Sequence, residues 1–174
     1  MRLSASCSLA LLVAFSLLMT LTARGDRFSG SSMLTAKAGQ GAGVIEVAPT
    51  AEEPLNADGV RTFHVQGTVN IERALADASY RVARAVDPGD IGSPDGRCPA
   101  VDALSLAWRS VSDVLSTSAG GAGALHFEIA PPAPTRFVSG VTFDVQWQVI
   151  KINADGSLDA SQELRSECFT VTVK

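Results

Sequence analysis

Between Val141 and Ile152 the residues Val141, Phe143, Val145, Trp147 and Val149 alternate with Thr142, Asp144, Gln146 and Gln148. A period of two belongs to an extended chain that buries one face, and a helix cannot satisfy it. The pattern recurs from Arg61 to Ile71, where Phe63, Val65, Gly67, Val69 and Ile71 oppose Thr62, His64, Gln66, Thr68 and Asn70. It returns from Glu167 to Lys174, with Phe169, Val171 and Val173 interleaving with Cys168, Thr170 and Thr172. Two shorter runs, Val44 to Ala48 and Ala124 to Ile129, are stopped by Pro49 and by Pro131, Pro132 and Pro134. Turn formers stand between the runs: Asp87-Pro88-Gly89-Asp90, Ser93-Pro94-Asp95-Gly96 and Asn153-Ala154-Asp155-Gly156. Short strands with this punctuation predict an all-β, antiparallel sandwich or barrel.

Two segments carry both periodicities. Glu72 to Ala85 has a helical composition, yet Tyr80, Val82 and Val86 also fit a strand. Val101, Leu104, Trp108, Val111 and Leu115 are spaced as on a helix, whereas Leu104, Leu106 and Trp108 alternate. No capping residue opens either segment, so both are assigned as strands.

The front of the chain has another character. Arg2 precedes an apolar run, Leu9 to Leu21, followed by Thr22 and Ala23, the layout of a secretory signal peptide over residues 1–23. That run is about 13 residues long and rises only about 20 Å as a helix, short of the roughly 30 Å of a bilayer core. The expected destination is therefore outside the cell membrane: secreted, periplasmic or at the cell surface. Arg24 to Gly43 is rich in Gly, Ser and Ala and reads as a flexible tail, leaving residues 44–174 as one domain. Within the tail, Arg24-Gly25-Asp26 resembles an integrin-binding tripeptide, but it abuts the cleavage point rather than standing in a presented loop.

The 174 residues carry a formal charge of −4. Loss of Arg2 with the leader makes the balance slightly more acidic, which excludes an electrostatic footprint for nucleic acid or anionic lipid. Of the three cysteines, Cys7 leaves with the leader, so Cys98 and Cys168 remain in an oxidising compartment, where one disulfide is the economical reading. Two free buried thiols are the alternative.

Cys98, Trp108 and Cys168 resemble the Cys…Trp…Cys pattern of immunoglobulin domains, in which a buried Trp packs on an inter-sheet disulfide. The resemblance spans roughly residues 44–174 and implies an immunoglobulin-like antiparallel β-sandwich. Ser166 stands where the family's corner Tyr would be. Cys168 shares its parity with Thr170 and Thr172, so its sulfur is expected to leave the core face and staple the 87–99 loop across the outside or edge of the sheet.

Candidate chemistry is sparse. His64 and His126 alternate with apolar neighbours and are expected to face away from the core. With Glu128 they are competent metal-ligand types, but without ligand spacing. No Ser lies in a G-x-S-x-G elbow. Asp144 and Glu128, the carboxylates nearest a glycosidase pairing, are read as solvated outward positions. Gly120, Gly121 and Gly123 lack the Lys and Ser/Thr of a phosphate loop and lead into a strand, so they read as a turn. Asn153-Ala154-Asp155-Gly156 resembles part of an EF-hand loop, but Lys151 and Gln162 stand where ligands belong. Asp87, Asp90 and Asp95 are a less constrained calcium set, for which Asx and Pro-Gly turns are the simpler account.

The expectation is thus an exported, non-catalytic module without cofactor, acting by surface binding, adhesion or envelope structure on an extracellular protein or glycan. Its candidate contact loops hold Asp87, Asp90 and Asp95, Gly120, Gly121 and Gly123, and the segment Pro131 to Pro134. The alternatives are a secreted inhibitor of an extracellular enzyme and a small exported hydrolase or metal-binding protein.

Overall fold

The computed structural model describes residues 29–52, 62–87, 89, 91–105, 107–130 and 137–174. The leader, the Arg24-Gly25-Asp26 tripeptide, Asp90 and Pro131 to Pro134 lie outside them. Nine strands run in chain order: β1 Gly30–Ala38, β2 Ala42–Glu52, β3 Thr62–Glu72, β4 Ser79–Val86, β5 Arg109–Ser116, β6 Gly123–Ile129, β7 Thr142–Ile152, β8 Leu158–Ser166 and β9 Phe169–Thr172. The described residues contain no helix.

All strands join one antiparallel sheet in the order β5-β4-β7-β8-β1-β2-β3-β6, with β9 also paired to β7. The two end strands, β5 and β6, pack against each other, so the sheet curls into a nearly closed barrel. This corrects the expected two-sheet sandwich. Strand β1 sits mid-sheet, bonded to β2 on one side and β8 on the other, and so joins the front of the chain to its end.

That strand falls inside the segment read from sequence as a flexible tail. Its side chains explain the misreading, because Leu34 is the one large hydrophobe that β1 buries, while Met33, Thr35 and Lys37 are exposed. Strand β1 is held by backbone ladders on both edges rather than by an apolar face. The two ambiguous segments are strands only in their second halves. Residues 73–78 form a turn in which Arg73 and Asp77 take left-handed backbone angles, φ 55° and 48°. Residues 101–107 cross the outside of the barrel without strand structure in the described part.

The alternation read from sequence aims the core inward. Phe63, Val65, Val69 and Ile71 of β3, Tyr80 and Val82 of β4, Phe143, Val145, Trp147 and Val149 of β7, and Val171 of β9 are all buried in one cluster. Gly67 occupies an inward position of β3 directly opposite Phe127 of β6. A Cβ at Gly67 would lie 2.2 Å from Phe127 Cζ, so the missing side chain is the space that the ring fills. Phe127 in turn packs on Trp147, with ring centroids 5.1 Å apart. Gly67→Ala is therefore expected to destabilise the barrel by about 1–3 kcal/mol through overpacking. A thermal melt unchanged by the substitution would contradict that packing.

The outward face of β7 is also buried. Asp144, Gln148 and Ile150 are 0 % exposed, although their parity points them out of the barrel. The cover is the long β4–β5 connection, joined to the end of the chain by the Cys98–Cys168 disulfide, whose Cα atoms are 5.5 Å apart. The sulfur of Cys168 thus leaves from the non-core face, as its parity implied. Asp144 turns outward as expected, but it is enclosed rather than solvated. Its Oδ2 accepts the Gly96 N–H at 2.7 Å, and its Oδ1 accepts the Thr170 hydroxyl at 2.6 Å.

Candidate functional site

The surface features singled out from sequence are mostly engaged in local structure. Asp87 Oδ1 accepts the Gly89 N–H and Asp95 Oδ1 accepts the Arg97 N–H, both at 2.8 Å, which are the hydrogen bonds of Asx turns. Gly121 is buried against the 73–78 turn. Its carbonyl accepts the Ala74 N–H at 3.0 Å, and at φ 72° a Cβ would stand 2.2 Å from Ala74 O. Gly123 begins β6 and pairs with Ile71, while Gly120 is exposed at the turn.

His64 and His126 do project outward. His64 Nδ1 lies 3.1 Å from Glu128 Oε1, and His126 Nδ1 lies 3.3 Å from the Thr68 hydroxyl. These are cross-strand polar pairs on adjacent strands of the barrel exterior. No cluster of three or more His, Cys, Asp or Glu side chains at metal-binding separation occurs among the described residues.

Beneath the strap made by the β4–β5 connection lies a polar network. Glu163 Oε1 accepts from Gln148 Nε2 at 2.7 Å and from Arg165 Nε at 2.9 Å, with a further contact from Arg165 Nη2. Arg165 Nη1 donates to Val101 O at 2.7 Å, Gln148 Nε2 to Ala103 O at 2.9 Å, and Arg81 to Gln148 Oε1 at 3.0 Å. The Arg165 guanidinium also sits 5.1 Å from the ring centroid of Trp108, whose Nε1–H donates to Asp102 O at 2.9 Å. Trp108 therefore packs on the outer face of the barrel and pins the strap. In the immunoglobulin pattern it would have lain between two sheets.

The feature with the shape of a binding site lies inside. One end of the barrel holds a cavity of about 410 Å³, walled by Val47 and Pro49 of β2, Phe63 and Val65 of β3, Phe143, Val145 and Trp147 of β7 and Val171 of β9. Phe63, Phe137 and Phe143 form an aromatic wall, with Phe137 stacked on Phe63 at 4.7 Å and meeting Phe143 edge-on at 5.0 Å. This volume lies in the range of small-molecule pockets, and its lining has the apolar majority with few polar groups that such pockets show.

Two charges break the apolar lining, Arg84 and Arg109. Arg84 follows Tyr80 and Val82 on the inward parity of β4, and Arg109 is its direct cross-strand partner on β5. Like charges placed opposite each other destabilise a sheet. Neither arginine has an acidic partner among the described residues. Burial, and secondarily the Arg109 charge, push the Arg84 guanidinium below its ordinary pKa. The strand on the other side of β4 places Trp147 opposite Arg84, and the Trp147 Nε1–H is buried without an acceptor.

Reading the sequence for catalytic and metal patterns missed these three residues. The signal for Arg84 was a lone cation on an otherwise apolar strand face, Tyr80-x-Val82-x-Arg84-x-Val86. Its meaning depends on knowing that this face looks into a barrel. No protein-family model matches the chain, and no curated protein matches it in sequence.

Proposed function

We propose that this protein is an exported, non-catalytic binding module that holds an apolar small molecule within its barrel. The observation that carries the reading is the 410 Å³ cavity lined by Val47, Phe63, Val65, Phe143, Val145 and Trp147. Close packing leaves few voids of this size in a small domain, so a cavity reaching the barrel end is a feature to be explained. An apolar cavity of 150 Å³ accepts benzene, and by that scale this one takes about sixteen heavy atoms. The disulfide and the leader-like residues 1–23 support export. No helix among the described residues is long and apolar enough to cross a membrane.

Binding moves, in this reading, from the surface loops expected at first to the barrel interior. The polar groups of Asp87, Asp95 and Gly121 already serve their own turns, whereas the barrel end offers an apolar-lined volume of about 410 Å³. The test is titration with N-phenyl-1-naphthylamine, a neutral fluorophore of matching size. At about 0.3 kcal/mol per heavy atom a ligand this large binds with a Kd on the order of 200 µM. Val86→Trp, at a half-buried position of the cavity wall, is expected to weaken that binding at least tenfold while the thermal midpoint holds. An equal affinity in the variant would remove the cavity from consideration.

A further inference from the structure

The polar end of the cavity narrows the ligand class. Arg84 and Arg109 stand opposite each other on β4 and β5, both line the cavity, and neither is neutralised within the described residues. Arg84 is half-buried beside the apolar lining and Arg109 reaches the same cavity from an exposed position, so the two guanidinium groups repel at the cavity mouth with no acid between them among the described residues. Trp147 lines the same cavity and is 1 % exposed, so its ring adds to the apolar wall beside Arg84. The unneutralised charge has one remedy from the cavity side, a group that accepts hydrogen bonds and carries negative charge. A carboxylate accepts bidentate hydrogen bonds from a guanidinium fork and has lone pairs to spare for a second donor. The aromatic and aliphatic wall from Val47 to Val171 then receives the apolar body.

Resting on the proposed cavity function, we infer that the ligand is a carboxylate-bearing amphiphile, its acid group held by Arg84 and Arg109 and its hydrocarbon or aromatic part enclosed by the barrel. The arginine pair thereby sets specificity for the head group, while the apolar wall supplies the bulk of the affinity. Charge-assisted hydrogen bonds contribute more than neutral ones, so an anionic head is preferred over an isosteric neutral one by at least tenfold.

The experiment compares dodecanoate and dodecyltrimethylammonium below their micellar concentrations, and 1-dodecanol below its solubility limit, by displacement of N-phenyl-1-naphthylamine from the purified protein. Dodecanoate is expected to compete at least ten times better than 1-dodecanol, and the ammonium compound worst. In the double variant Arg84→Leu/Arg109→Leu, dodecanoate should lose its advantage and compete no better than 1-dodecanol does in the same variant. Arg109→Glu supplies a second arm at an exposed position: it gives Arg84 an internal counter-ion, so the thermal midpoint should rise while dodecanoate competition is lost. Raising the salt should weaken dodecanoate and leave 1-dodecanol alone.

Equal competition by dodecanoate and 1-dodecanol, or full dodecanoate affinity in the arginine variants, overturns the head-group assignment and leaves the apolar cavity standing. Absence of binding by the fluorophore and all three amphiphiles overturns the cavity function, and this inference with it.

Discussion

Replacing both bridging cysteines, as Cys98→Ser with Cys168→Ser, is expected to lower unfolding stability by about 4 kcal/mol. The bridge closes a loop across a sequence separation of 70 residues, and by loop-closure entropy a cross-link of that span removes about this much from the freedom of the unfolded chain. The folded state loses as well. Cys98 anchors the strap that covers Asp144, Gln148 and Ile150, and loosening it exposes Ile150 to water and gives up the strap's hydrogen bonds to Asp144 and Gln148. Urea unfolding of oxidised protein, reduced protein and the double variant checks both parts. The reduced protein and the double variant should share a midpoint well below that of the oxidised form. A loss of under about 1 kcal/mol would mean that the barrel and strap hold without the cross-link.

Glu163→Ala is the second substitution with a large expected effect, a loss of about 3–5 kcal/mol. Glu163 is 5 % exposed, and its Oε1 receives donors from both Gln148 and Arg165. Removing the carboxylate leaves the Arg165 guanidinium enclosed beneath Trp108 with only the Val101 carbonyl as a near-ideal acceptor. The uncompensated charge, more than the lost pair itself, sets the size of the effect. Glu163→Gln keeps an acceptor oxygen for Gln148 and should lose less. The strap should loosen in the alanine variant, so hydrogen exchange is expected to speed up at the Trp108 and Gly96 amides and to stay slow in the ladder between β2 and β3. Uniform acceleration across the barrel would show that Glu163 supports the whole fold and not the strap.

The alternation in residues 61–71, 141–152 and 167–174 announced extended strands because a half-buried strand needs only a two-residue period, and no distant information enters that need. Cysteine parity was legible for the same reason. Strand β1 was not, because its Gly, Ser, Thr and Lys side chains carry no apolar stripe and its place is secured by hydrogen bonds to β2 and β8. Asp144 likewise pointed outward as alternation demands, and the polar strap that encloses it had no local signal.

Local periodicity thus determined the chain's β character, the inward faces of its main strands and the outward aim of Cys168, since each follows from backbone geometry over a few residues. Whether those faces met as two sheets or around one axis was a tertiary decision. Strand β1 bonds both neighbours, and β5 comes to rest on β6, producing a nearly closed barrel. The cavity exists only through that closure, and Arg84 meets Arg109 at it because residues 25 positions apart become neighbours when β4 and β5 pair.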